Sequence, residues 1–404
     1  MQDKQIFSGV KVLALVRVIA APFSTYSFAM HGADVLNIEN PKEPDSARYV
    51  GDVGTELNRQ GMGCFYLAQN ANKRSMTLNL SVPEGQGIFK RLAKDSDIVV
   101  ENLIAGTMPR YGLGYEDLKK INPGLIYCSI TGYGQTGPKA RDAAIDNAVQ
   151  AASGIMAVTG TPETGPLKTG FTVVDYATGY SASLAMVMAL YHRAMTGEGQ
   201  YIDVAMLDTA LTIASAYTTR AAITGEMETL AGNGSGHGAF VVDVFKCKEG
   251  SLSVAASTPQ RRQKLFNAMG RADILTDPRF REAETARRNY PQMREEIEKT
   301  LLTRTALEWE SILSEGGVAA NAVRNHVQAI NSPQVVHRGL MHSFGHDEQL
   351  GVDITVPKAP YQFSATPAHL YTPPPRVGQH TEQVLESLGY GEADIARMRQ
   401  NGIV

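Results

Sequence analysis

The side chain best suited to covalent chemistry is Asp175. It closes the apolar run Phe171, Val173 and Val174, and no other acid follows before Glu198. The residues from Tyr176 to Ala194 predict one helix, stopped at Gly197, with Asp175 at its N-cap. An N-cap aspartate accepts amide hydrogen bonds and is favoured by the helix dipole, a stabilisation of roughly 0.5–2 kcal/mol. The same placement predicts a lowered pKa and an ionised carboxylate, as a carboxylate nucleophile requires. Cap and catalyst are compatible, and the residues alone leave both open.

Other candidates are weaker. Lys73 and Arg74 precede a predicted strand in "QNANKRSMTLNL", beside Asn70 and Asn72. Such a cluster suits phosphate oxygens, but it reads equally well as a solvated pair. Asn102 follows the strand "DIVVE", at the end where open α/β sheets hold ligands, and Arg110 stands eight residues on. "GNGSGHG" (232–238) has the glycine content of a mobile lid or of a linker. Nothing near His237 in sequence orients it for catalysis. "GYGQTG" (132–137) matches G-x-G-x-x-G, but Pro138, Lys139 and Arg141 follow it instead of small helix-packing residues. A tight loop is expected there, not a dinucleotide site.

These residues must be positioned by a long chain. At 404 residues, two domains are expected. "GVKVLALV" reads as a strand, a helix begins near Pro22, and "DVLNIE" is a second strand. The alternation continues through "KRSMTLNL", a helix from Pro83, "DIVVEN", "GYEDLKKINP" and "GLIYCSITGYG". The fold class is therefore α/β, a doubly wound, mostly parallel sheet with a smaller α+β domain. Residues 1–200 and 331–404 are assigned to the large domain, 201–225 to a connector and 226–330 to the small domain. Pro373, Pro374 and Pro375 predict an extended surface crossing.

The formal net charge of −3 excludes a basic nucleic-acid footprint. Cys64, Cys128 and Cys247 are widely spaced, which argues against a zinc site or a disulfide framework and for a reducing compartment. No basic leader or transit pattern opens the chain, and no apolar run reaches the ~20 residues of a bilayer span. A cytoplasmic protein is expected, with no membrane partner.

Together, five segments resemble the class III CoA-transferases of the formyl-CoA and carnitine type. They are "APFSTYSFAMHGADVLNIE", "NKRSMTLNL", "VVENLIAGTMPRYGLGYEDLKKINPGLIYCSITGYGQTGP", "VVDYATGYSASLAMVMALYHRAMTGEGQYIDVAMLD" and "RVGQHTEQVLESLGY", in family order across nearly the whole chain. The resemblance implies a Rossmann-like large domain, an inserted small domain and an interlocked homodimer. It makes Asp175 a nucleophile that forms a mixed anhydride and then an aspartyl-CoA thioester. CoA and acyl-CoA are then substrates, a small carboxylic acid is the partner substrate, and no cofactor is tightly bound.

By position, the resemblance implies CoA contacts at Val18, Ala20, Asn72, Lys73, Arg74, Asn102, Leu103 and Arg110. It also makes Gly234, Ser235, Gly236, His237 and Gly238 a loop that shields the intermediates. Arg17, Arg48 and Lys168 are further cations that could meet a substrate carboxylate. The chain departs from the family pattern at Ala14, at Ala20-Ala21-Pro22 and at "EPD" (Glu43 to Asp45). A racemase branch of the same fold has a histidine where alignment puts Ile145, and isoleucine cannot transfer a proton. An intramolecular CoA shift would use the same aspartate. A non-catalytic CoA-binding protein is the remaining class, and Asp175 with the glycine loop argues against it.

Overall fold

A computed structural model of the 404-residue chain describes residues 5–51, 55–227, 229–230, 232–234 and 241–404. The chain forms two compact units. The first holds 1–154, 169–223 and 336–404, and the second holds 155–168 and 224–335. Residues 155–168 therefore group with the second unit and 201–223 with the first, unlike the boundaries drawn from sequence.

The first unit is built on six parallel strands: β1 (Lys11–Leu15), β2 (Asp34–Glu39), β3 (Lys73–Thr77), β4 (Ile98–Glu101), β5 (Ile126–Thr131) and β6 (Tyr201–Ala205). Their spatial order is β3-β2-β1-β4-β5-β6. The order reverses between β1 and β4, which opens a crevice at the C-terminal strand ends. Val12 lies opposite both Val35 and Ile98, and Ser129 opposite Glu101 and Asp203.

Alternate residues feed two apolar layers, as expected of a parallel sheet covered on both faces. Val12, Ala14, Val35, Val100 and Cys128 pack with α1 (Ala20–Ala29) and with the helix that carries Asp175. Leu13, Leu36, Met76 and Val99 pack with α2 (Pro83–Lys94) and the C-terminal helices near Leu385 and Met398.

After the short helices α3 (Thr107–Arg110) and α4 (Asp146–Ala152), the chain forms α5, Val173–Thr196. At 24 residues, α5 is long and apolar enough by composition alone to cross a bilayer. It serves instead as a core helix, burying Val174, Thr178, Ala182, Met186 and Ala189. Gly197 ends it in the left-handed conformation (φ +80°), donating to Arg193 O at 2.7 Å.

The contact between α1 and α5 is made by small residues. A Cβ on Gly179 would come within 2.7 Å of Ala20 O and 2.8 Å of the Phe23 ring. The Ser183 hydroxyl donates to Ser24 O at 3.1 Å. Gly132 to Gly137 form a tight loop held by Gly134 N to Thr131 Oγ1 (2.9 Å) and Gln135 N to Asp203 Oδ2 (3.0 Å), and no helix opens on them.

Arg48 is completely buried and makes two bonds to Glu39, at 2.8 and 2.7 Å. It also donates to Gly61 O, Pro375 O and the Tyr66 hydroxyl, and its guanidinium lies 3.6 Å from the Tyr66 ring centre. Burial alone would push the Glu39 carboxyl up. The bonds and charge of Arg48, helped by Ser75, bring it below the ordinary carboxylate range. Tyr66 donates to Pro375 O at 2.9 Å. The proline crossing thus lacks regular structure, as expected, but Pro374 and Pro375 are buried and not on the surface.

The second unit is an antiparallel sheet of β7 (Val241–Lys246), β8 (Ser251–Ala256) and β9 (Ala319–Ala322), ordered β9-β8-β7. Helices that bury Phe266, Ile297 and Trp309 cover it. Its hairpin turns at Gly250 (φ +78°), where glycine carries no steric penalty.

Removing one member of a buried, hydrogen-bonded ion pair leaves an uncompensated charge, at about 3–5 kcal/mol. Arg48→Ala should lower the urea midpoint of the first unit correspondingly, and Glu39→Met in that background should recover part of the loss. An Arg48→Ala midpoint equal to that of the wild type would show that the cluster is not structural.

Candidate active site

Helix α5 begins three residues earlier than its sequence suggests. Asp175 therefore sits in its first turn and not at the N-cap. The N-cap position is Thr172, whose side chain makes no capping bond. The cap comes from elsewhere: Asp146 Oδ2 accepts from Val174 N at 2.8 Å and from Asp175 N at 3.0 Å. Asp146 is buried at the start of α4 and also bonds the Gln150 side chain. Gln150 in turn joins Thr169 through Nε2 to Oγ1 (3.0 Å) and Thr169 N to Oε1 (2.9 Å). Asp146, Gln150 and Thr169 together fix the chain as it enters α5.

The Asp175 side chain is 8% exposed and has no hydrogen-bond partner among the described residues. Burial, then the negative charge of Asp146, pushes its carboxyl up to about 7. The expected lowering is reversed, because Asp175 lies inside the first turn, buried and beside the Asp146 charge, and not at the N-cap where it would accept amide hydrogen bonds. Asp146 escapes notice in sequence: it lies 29 positions before Asp175 and reads as an ordinary first-turn acid in "AIDNAVQ". Around Asp175 are Gly179 and an aromatic corner, where the Phe23 ring meets Tyr176 and Tyr180 edge-on at 5.0 and 4.9 Å.

At the strand-order reversal lies a cavity of about 360 Å³, whose lining includes Arg17, Asp45, Asn102, Leu103 and Tyr111. Asn102 clamps the first βα turn, accepting from Arg17 N and donating to Arg17 O, both at 2.9 Å. Leu103 N donates to Glu101 Oε2 at 2.8 Å, and burial pushes the Glu101 carboxyl up to about 7. Arg110 is exposed at the end of α3, its guanidinium 5.6 Å from the Tyr111 ring centre. Arg17 is the exposed cation of this crevice.

Val18 has φ +68°, where a β-branched residue is strained by about 1–3 kcal/mol. Its N–H donates to Asp45 Oδ1 at 2.9 Å and its carbonyl accepts from Gln69 Nε2 at 2.8 Å. Only its side chain is presented outward. Ala20 is buried as the first residue of α1.

Asn72, Lys73 and Arg74 are not brought to this crevice. They lie at the start of β3, and ligands of such sheets bind at the other end. Asn72 accepts from Tyr371 N and Thr372 N and donates to His369 O. Lys73 is buried, its Nζ bonded to Pro22 O (2.8 Å) and Asn70 Oδ1 (2.9 Å), and burial holds its pKa well below the usual lysine range. Arg74 forks onto Asp34 at 2.8 and 2.6 Å. Arg48, sealed against Glu39, cannot meet a substrate. Lys168 is exposed at the margin of the second unit. Of the glycine loop, Gly234 is exposed, and Ser235, Gly236, His237 and Gly238 lie outside the described residues.

The family model for CoA-transferase family III matches residues 7–381. The chain belongs to that family. It is 33% identical to human succinyl-CoA:glutarate CoA-transferase over 410 residues, covering 100% of this chain and 91% of that one. It is also 33% identical to the succinate–glutarate CoA-transferase of Agrobacterium fabrum over 387 residues, 95% of this chain and 96% of the other. Among solved structures, a CAIB/BAIF family protein from Brucella suis superposes with a TM-score of 0.84 at 29% identity, covering 95% and 100% of the two chains. CoA-transferases act on CoA thioesters, so the family places acyl-CoA and carboxylic acids as the substrates of this enzyme. Ile145 is 67% exposed beside Asp146.

If turnover requires the Asp175 carboxylate, its carboxyl near 7 makes kcat/KM fall as pH drops through that region. Asp146→Asn keeps an acceptor for the two amides but removes the charge, so the acid limb should move to lower pH. An unmoved limb in a pH profile would rule out Asp146 as its cause. The folded pKa lies above the unfolded value of about 4, so the stability associated with the protonated form is full below about 4 and lost as pH rises to about 7. Asp175→Asn should accordingly raise Tm over the wild type more at pH 8 than at pH 4 in thermal scans.

Proposed function

We propose that this CoA-transferase works through covalent adducts on Asp175, with succinyl-CoA as donor and a short dicarboxylic acid as acceptor. The observation that carries the mechanism is the buried Asp175 carboxyl without a hydrogen bond. An ionised oxygen there is poorly solvated, which raises its reactivity toward a thioester carbonyl. Its attack breaks the C–S bond, releases CoA thiolate and leaves a mixed anhydride. The thiolate then attacks the aspartyl carbonyl, expelling the donor acid and leaving an aspartyl-CoA thioester. The acceptor carboxylate attacks this thioester and frees CoA thiolate, which attacks the acceptor's carbonyl in the new anhydride. Acyl-CoA leaves and Asp175 is regenerated. Atoms balance with no redox partner.

The dicarboxylate reading is supported by the human and Agrobacterium fabrum relatives, whose names join succinate or its thioester to glutarate. Arg17, exposed at the crevice, is the cation suited to a CoA phosphate. A homodimer is supported by an exposed apolar stripe on α5: Tyr180, Leu184, Met188, Tyr191 and Met195 recur at helical spacing on the side away from the core.

Succinyl-CoA with glutarate should yield glutaryl-CoA, and hydroxylamine added during turnover should convert Asp175 to a hydroxamate seen by peptide mass spectrometry. Asp175→Ala should lose both. Wild-type turnover in that variant would refute the covalent mechanism, whereas turnover only with monocarboxylic acids would refute the acceptor class. Leu184→Glu with Met188→Glu should halve the mass seen by light scattering if α5 faces a second copy.

A further inference from the structure

Asp45 ends "EPD", the segment where the chain departs from the family pattern. It is buried, and its Oδ1 accepts from Ala47 N at 3.0 Å as well as from Val18 N. Its own N–H donates to Glu39 Oε1 at 3.2 Å, which ties it to the Arg48 cluster. Gln69, also buried, holds the other side of the same residue and is itself fixed by Nε2 to Phe65 O at 3.1 Å. Two buried side chains, 27 and 51 positions away, therefore bind both main-chain groups of a valine in a conformation valine disfavours.

That turn sets the entry into α1. Ile19 and Ala20 open the helix with no side-chain cap, and the Ala20 carbonyl packs into the space that a Cβ on Gly179 would need. Gly179 stands one helical turn after Asp175, on the same face of α5. The first turn of α1 is thus set by α5 on one side and by the Val18 turn on the other.

We propose that Asp45 is a positioning residue for CoA transfer: with Gln69 it locks Val18 in its left-handed turn and so fixes the first turn of α1 beside Asp175. The proposal rests on Asp175 being the nucleophile. A misplacement of about 1 Å at a reacting centre can cost up to about a hundredfold, so a held strain here has catalytic leverage.

The test is a double-mutant cycle of Asp45→Ala, which removes the acceptor, and Val18→Gly, read as succinyl-CoA KM, kcat and thermal unfolding. In the valine background, Asp45→Ala should lower kcat/KM about tenfold. In the Val18→Gly background, where glycine adopts positive φ freely, the same change should cost less than about threefold. Equal losses in both backgrounds would overturn the proposal, because Asp45 would then act somewhere other than the turn. Gln69→Ala should show the same dependence on residue 18 from the carbonyl side, which guards against a poorly folding Asp45 variant. If the wild type transfers no CoA to any acid, the catalytic reading fails by itself. The unfolding data still decide the geometry: Val18→Gly must then stabilise the Asp45→Ala protein more than the wild type, and equal stabilisation overturns it.

Discussion

The carboxylate of Asp146 accepts from two backbone amides at the N-terminus of α5, Val174 N and Asp175 N, and so supplies the cap that the sequence assigns to Asp175. A helix start with free amides would lower the Asp175 pKa and solvate its charge with fixed donors. With the amides occupied, and a second negative charge close by, Asp175 is left without that support. Its ionised form is therefore less stable in the folded protein than in the unfolded chain. The helix remains capped, so the fold keeps its stabilisation while the Asp175 carboxylate goes without it.

The remaining architecture brings a backbone close to that carboxylate. Glycine within a helix normally costs up to about 1 kcal/mol relative to alanine. Gly179 accepts that cost because its absent Cβ lets Ala20 and Phe23 sit against α5. The Ser183–Ser24 bond and the Lys73–Pro22 bond hold the same helix from two further directions. Lys73 thus acts on the site from beneath α1, through a carbonyl, with its ammonium closed off from solvent.

Much of this was legible in the sequence. The alternation of strands and helices identifies the doubly wound sheet, because its periodicities are local, and the segment around Asp175 carries part of the family resemblance. What failed was the geometry across the chain. Lys73 and Arg74 look like a phosphate site in a linear reading, yet they start β3, and in a parallel sheet that end points away from the crevice. Asn102 sits at the correct end, but its amide is occupied by Arg17's main chain. Asp146 carries no local signal, since its partners are amides 28 and 29 positions later. A positive φ at Val18 is equally invisible, because valine is among the last residues one would place there.

Three buried carboxylates differ in what their surroundings leave free for the proposed chemistry. Glu39 faces Arg48 and Ser75, and its pairing holds it ionised and inert at the centre of a structural cluster. Glu101 is pushed up to about 7, but the Leu103 amide and Ser129 still hydrogen-bond it at the strand end. Asp175 shares the raised value and lacks any such bond among the described residues. A nucleophile must be ionisable near neutrality and must also keep a lone pair free to form the new bond. Glu39 is ionised, but an adjacent guanidinium neutralises its charge and its lone pairs are engaged. Glu101 meets the first requirement alone. The distinction comes from hydrogen-bond partners, not from burial, which all three share.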